Sequence, residues 1–326
     1  MKLLFVGDVM LGRLVNQALK REPPSYPWGN TLEVLRQADC RICNLECVIS
    51  DRGRPWGLTP KAFHFRSDAK NVSVLAAARI TAVSAANNHT LDFEYDAMFE
   101  MSHILDQAGI HHAGAGANLG EASRPARFEA GGMRIGLIAF TDNEPDWEAT
   151  DLSPGGFYVP IDPRDARATK LLEAVRKTRD YVDLLVLSAH WGGNWGYSPP
   201  SSHRAFARAL IDAGADVVFG HSCHVVRGIE IYQGHPILYS SGNFIDDYAV
   251  DEIERNDRSL IFMLETEAGA LTRIRLYPTV IRRYQARMAT EREREEIAAK
   301  MRQLCADLDT PASWQEEERC LEVALR

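Results

Sequence analysis

Residues 80–93 read ITAVSAANNHTLDF. The run Ile80–Ala86 is apolar and partly β-branched, as a buried strand requires. It then delivers the chain into Asn87, Asn88 and His89 without a break. Three polar side chains at the end of a core strand are either a turn or a set of ligands. The same pattern recurs. Asp8 lies near the end of KLLFVGDVM, Asn44 and Glu46 near the end of DCRICNLEC, His190 near the end of DLLVLSAHW, and His221 and His224 at the end of ADVVFGHSCH. In an α/β sheet the C-terminal strand edge is where sites form. Any one of these residues alone can be a cap, a strand exit or a core histidine. Carboxylate, amide oxygen and imidazole arriving together at strand ends are the donor types that hold manganese, iron or zinc.

Between these strands the pattern is helical. NTLEVLRQA, DAKNVSVLAAA with Asp68 as its N-cap, and DAMFEMSHILDQAG closed by Gly109 are expected helices. RDARATKLLEAVRKTR and SSHRAFARALIDAG are two more. Hairpins are expected around Gly131-Gly132, Gln233-Gly234 and Ala268-Gly269. Parallel βα units followed by hairpins predict an α/β fold of two sheets packed face to face, with helices outside. One main domain, residues 1–290, is expected to carry a helical extension over residues 291–326, broken near Pro311.

The bulk numbers narrow the function. The chain has 326 residues, 25% of them charged, with a formal net charge of -8. No Lys/Arg cluster is free of interleaved acids, which argues against nucleic acid as a partner. The opening MKLLFVGDVML is interrupted by Asp8 and lacks a small-residue cleavage site. It reads as a first strand, so a cytoplasmic protein without a membrane anchor is expected. The six cysteines, three of them in CRICNLEC, match no standard metal spacing and are expected to be reduced structural thiols.

The motifs GDVMLGR, NLE, NNHTLDF, SAHWG, GHSCH and GIEIYQGHPILYSSGNFIDDY, in this order, resemble the CapA family of capsule and poly-γ-glutamate synthesis proteins. That family falls in the calcineurin-like metallophosphoesterase superfamily. The resemblance runs from about Met1 to Leu276. It implies a four-layer αββα sandwich and a metal-dependent hydrolase of phosphoesterase type with one or two divalent ions. A small-molecule or polyanionic phosphoester or glutamyl compound would be its substrate. The alternative is a non-catalytic protein that binds a polyanion or assists capsule assembly.

The resemblance also implies roles. Asp8, Glu46, Asn88, His190, His221 and His224 become metal ligands, with Glu46 as the bridge. His89 becomes the catalytic histidine that serves the leaving group. The sequence departs from the superfamily pattern in two places. Met10 stands where D-x-H has its histidine, and GHSCH carries one residue more than G-H-x-H. Arg13, Trp191 and Asn243 are candidate substrate contacts, against the plainer roles of a helix-surface arginine and a packed aromatic. Asn243, Asp246 and Asp247 are also candidate outer partners for the imidazoles. Trp195 and Tyr197 lie in a Gly-rich loop expected to line a pocket.

Overall fold

The computed structural model describes residues 1–325. Among these residues the chain forms two large sheets, one of ten strands and one of six. In the first, Lys2–Val9, Cys40–Leu45, Ala82–Ser84 and His111–Ala113 run parallel side by side. Arg258–Glu267 and Ala270–Arg282 continue it antiparallel on the other flank. In the second, Met133–Thr141, Leu184–His190, Val217–His221 and His235–Leu238 are parallel neighbours, edged by the expected hairpins.

Side-chain alternation explains the layering. Along the first strand, Leu3 and Phe5 face one way while Leu4 and Val6 face the other, and all four are fully buried. Leu3 and Phe5 join Val186, Val217 and Phe219 of the six-stranded sheet in one apolar layer. The Phe5 and Phe219 rings lie 4.8 Å apart. Leu4 and Val6 join Met98, Met101 and Leu105 of the helix Glu94–Gln107. Beyond the second sheet, Leu185 and Leu187 meet the helices Ala166–Arg179 and Ser201–Asp212 through Leu171, Val175, Phe206 and Leu210. Three apolar layers between helix, sheet, sheet and helix make the αββα sandwich. Each large side chain buried in them contributes about 1.5–3 kcal/mol.

Three sequence expectations need correction. The NTLEVLRQA helix is reduced to a 3₁₀ segment, Tyr26–Thr31, and a single α-turn, Leu32–Leu35. Asp68 does not cap its helix; its Oδ1 accepts from Asn16 Nδ2 at 2.9 Å. The extension is helical only over Glu291–Ala306, where Thr290 and Glu293 form a capping box. Past Pro311 it turns into strands Ser313–Gln315 and Cys320–Ala324, the second pairing with Ala270–Arg282. Leu321 and Val323 bury themselves in the inter-sheet layer, around a half-buried Glu322, and this two-residue period overrides the charged, helix-like composition. Among the described residues no helix is long and apolar enough to cross a membrane. The six cysteines are buried and unpaired.

Candidate metal centre

Strand register gathers the polar residues. Asp8 lies level with Asn44 on one neighbouring strand and with Asn243 on the other. His190 lies level with His221 in the facing sheet. The backbones approach closely here. A Cβ on Gly7 would stand 1.8 Å from the Gly242 carbonyl oxygen, which accepts the Asp8 N–H at 2.9 Å. Packing of the two sheets then joins the two groups of side chains.

One donor atom each from Asp8, His190 and His221 lies within 4.8 Å of the others. His190 Nδ1 is 2.9 Å from His221 Nδ1, and His221 Nδ1 is 3.9 Å from Asp8 Oδ1. With bonds of about 2.0–2.2 Å, adjacent donors of one metal stand about 3 Å apart and opposed ones about 4 Å. The cluster is therefore of a size that can hold an ion. Its orientation is fixed from outside. Ser188 Oγ meets His221 Nε2 at 2.7 Å, which leaves Nδ1 to face Asp8. Asn44 Nδ2 donates to Asp8 Oδ1 at 2.7 Å, and Asn87 Nδ2 donates to Asn44 Oδ1 at 3.0 Å. Asn243 Oδ1 lies 3.0 Å from His224 Nδ1 and orients that ring.

Unpartnered oxygens provide an independent test of fit. Asp8 Oδ2, Glu46 Oε2 and Asn88 Oδ1 are buried and accept no hydrogen bond. An orphaned buried acceptor costs about 1–3 kcal/mol, more when charged. A divalent ion is a partner that would satisfy such oxygens. The electrostatics agree. Burial raises the Asp8 carboxyl above its ordinary range, against hydrogen bonding from Glu46 and Asn44. Burial and the Asp8 charge push Glu46 well above its own. Burial drives His221 down to about 3 and, with His221 beside it, His190 well below its ordinary value. Neutral imidazoles are the ligating form, and a cation would restore the carboxylates to theirs.

A cleft of about 590 Å³ opens beside this cluster. Asn88, His89, His224, Lys61, Arg13 and Trp195 are among its lining residues. His89 stacks on Phe65 at 3.9 Å, and its Nδ1 meets Asp92 Oδ2 at 2.6 Å. Nε2 is the ring nitrogen left for the cleft. Burial lowers the His89 pKa, and the Asp92 carboxylate opposes that shift.

The structure thus brings Asp8, His190 and His221 together, with Glu46 and His224 near enough to Asp8 to act on its carboxyl. Asn88 and His89 reach the cleft, as does Arg13, which pairs with Asp247 at 3.2 Å. Trp191 is not brought there. It is fully buried in the outer layer, with Nε1 donating to the Tyr239 carbonyl. Trp195 of the same loop lines the cleft instead. Sequence reasoning missed Asp92 and Lys61, and noted Asn87 at the strand end without giving it a role. Only the three-residue spacing from His89 to Asp92, within hydrogen-bond reach in a turn, could have pointed to the first.

Fold and site together define an α/β sandwich with a buried carboxylate–imidazole centre at the strand edges. The family model for the bacterial capsule synthesis protein PGA_cap matches residues 2–248. The chain belongs to that family. It is 32% identical to a probable polyglutamine synthesis accessory protein of Mycobacterium tuberculosis, over 90% of this chain and 88% of that one. It is 29% identical to the PGA biosynthesis protein CapA of Bacillus subtilis, over 74% of this chain and 62% of that protein. A crystal structure of a hypothetical protein from Thermus thermophilus superposes with a TM-score of 0.51 and 17% identity, over 85% of this chain and 98% of the other; this likeness concerns the fold alone.

Proposed function

We propose that this protein is a metal-dependent hydrolase acting on phosphoesters, in the service of capsule or poly-γ-glutamate metabolism. The convergence of Asp8, His190 and His221 beside a cleft lined by His89 carries the reading. Asp8, Glu46, Asn88, His190, His221 and His224 would hold one or two ions of manganese, iron or zinc, which suit this mixed oxygen and nitrogen donor set. A bound ion supplies Lewis-acid stabilisation of charge developing on the ester oxygens.

The remaining roles fall to the chain itself. His89, with Nδ1 anchored on Asp92, presents Nε2 to the leaving oxygen and donates its proton there. Phe65 holds the ring plane, and Lys61, 2.9 Å from Glu144, adds positive charge to the cleft wall. Arg13 and Trp195 are placed to contact the part of the substrate that is not cleaved. On this reading residues 1–290 carry the chemistry, the described residues from 291 to 325 brace the sheet, and the protein works in the cytoplasm.

The test is turnover of an unactivated phosphodiester and of a γ-glutamyl amide by manganese-loaded protein, beside Asp8→Asn. Metal-dependent turnover lost in the variant supports the reading. Stoichiometric metal with no turnover of either compound would replace it with the non-catalytic, polyanion-binding role.

A further inference from the structure

Asp246 is a buried carboxylate beside this centre for which the roles above leave no use. It lies just past the strand Asn243–Ile245, which runs parallel to Lys2–Val9. That pairing carries a bulge. Asp8 is level with Asn243, but Val9 is level with Ile245, so Phe244 is an extra residue that turns into the helix-side core. Without the bulge, Asn243 and Asp246 would point to opposite faces. With it, Asn243 stands beside Asp8, and Asp246 follows on beside Met10.

Met10 itself offers the site nothing. It is fully buried, and its sulfur accepts the Gly12 N–H at 3.0 Å. Asp246 differs. It is 5% exposed; its Oδ1 takes the Tyr248 N–H at 3.0 Å, while Oδ2 has no partner. Glu46, 1% exposed, has an orphaned Oε2, and Asp8 an orphaned Oδ2. The three carboxylates lie close enough to act on one another's charge. Among the described residues no Lys or Arg pairs with any of them; Lys61 goes to Glu144 and Asp92, and Arg13 to Asp247. Buried carboxylates within reach of one another's charge and without a basic partner need a counter-charge, and a metal ion is one that free carboxylate oxygens engage directly.

We propose that Asp246, together with Glu46, ligates a divalent ion bound at Asp8, filling with a carboxylate the place where Met10 provides no donor. The proposal rests on the metal-centre reading and extends its ligand set to the loop after residue 245. It makes that loop part of the centre's wall.

The experiment is calorimetric titration of Mn²⁺ into chelator-stripped protein, with melting temperatures recorded with and without the ion. Wild type, Asp246→Asn and Asp247→Asn are compared. Asp246→Asn is expected to weaken binding at least about tenfold, or to remove one equivalent where two bind, and to shrink the Mn²⁺-induced rise in melting temperature. Stripped of metal, it should melt no lower than wild type, because Oδ2 has no hydrogen bond to lose and an asparagine oxygen can still accept the Tyr248 N–H. Asp247→Asn, whose carboxylate serves Arg13, should bind Mn²⁺ as wild type does. Wild-type binding by Asp246→Asn overturns the proposal. So does a lower metal-free melting temperature with the full Mn²⁺ response, which would make Asp246 a structural residue only. A wild-type protein that takes up no Mn²⁺ defeats the metal centre itself, a different failure from the two above.

Discussion

Asp92→Asn isolates the charge behind His89. Asp92 Oδ2 accepts from His89 Nδ1 and from Phe65 N, both at 2.6 Å, while Oδ1 faces Lys61 Nζ at 3.6 Å. An asparagine amide that keeps its oxygen on the two donors turns its NH₂ toward the Lys61 ammonium. The flipped amide would set NH₂ against the Phe65 N–H, a closer conflict, so the first orientation holds and the ring keeps its tautomer. What disappears is the charge. A hydrogen bond to a charged group is worth about 1.5–3 kcal/mol and a neutral one about 0.5–1.5, a loss of roughly 1–1.5 kcal/mol. That corresponds to about one pKa unit on His89. Burial already lowers the His89 pKa and Asp92 opposes it, so the variant's imidazole gives up its proton at lower pH. If protonated His89 serves the leaving oxygen, the basic limb of the kcat/KM profile moves down by about one unit. Above that limb the rate on an alkyl phosphodiester falls about tenfold, while a nitrophenyl diester, which needs no proton, is spared. Profiles of both esters at constant metal content make the measurement. A limb that stays or moves up, or equal losses on the two esters, refutes the reasoning.

His89→Asn should retain bound metal and lose about 10²–10⁴-fold in turnover of the unactivated ester, whereas His224→Asn should lose metal and activity together; metal analysis beside single-turnover rates separates them. Gly7→Ala drives a methyl into the Gly242 carbonyl beside Asp8, and denaturant titration should show a loss of about 3 kcal/mol. His203 is held by burial at a pKa of about 4, below its ordinary 6.5. A depressed histidine stabilises the fold fully above the unfolded pKa and ceases to do so as pH falls through the folded one. His203→Phe should therefore flatten the decline in melting temperature between pH 6.5 and 4, as read by calorimetry at stepped pH.

The parallel strands were legible because each is an apolar run stopped by a polar residue, and the same stops marked the site. Asp8, His190 and His221 could be picked out from sequence because their strands end at one edge. Their mutual distances depend on register and sheet packing, which no local pattern encodes. The helical reading of residues 313–324 failed for a related reason. Those short strands gain their stability from pairing with the long strand Ala270–Arg282, and charged composition does not register that. Trp191 and Trp195 were indistinguishable as letters; only the turn at Gly192, with φ +78°, precedes the separation of one into the core and the other into the cleft. Asp246 was visible only as a possible outer partner, because the bulge at Phe244, which shifts the register of the chain leading to it, leaves no mark in the hydrophobic period.

The central claim is that Asp8, His190 and His221 hold a metal ion beside the cleft. Anomalous diffraction at the manganese edge, on crystals equilibrated with Mn²⁺, tests it most directly. The account predicts a peak at roughly 2.0–2.3 Å from a donor atom of each of the three residues. A peak elsewhere, or none at saturating Mn²⁺, would contradict it.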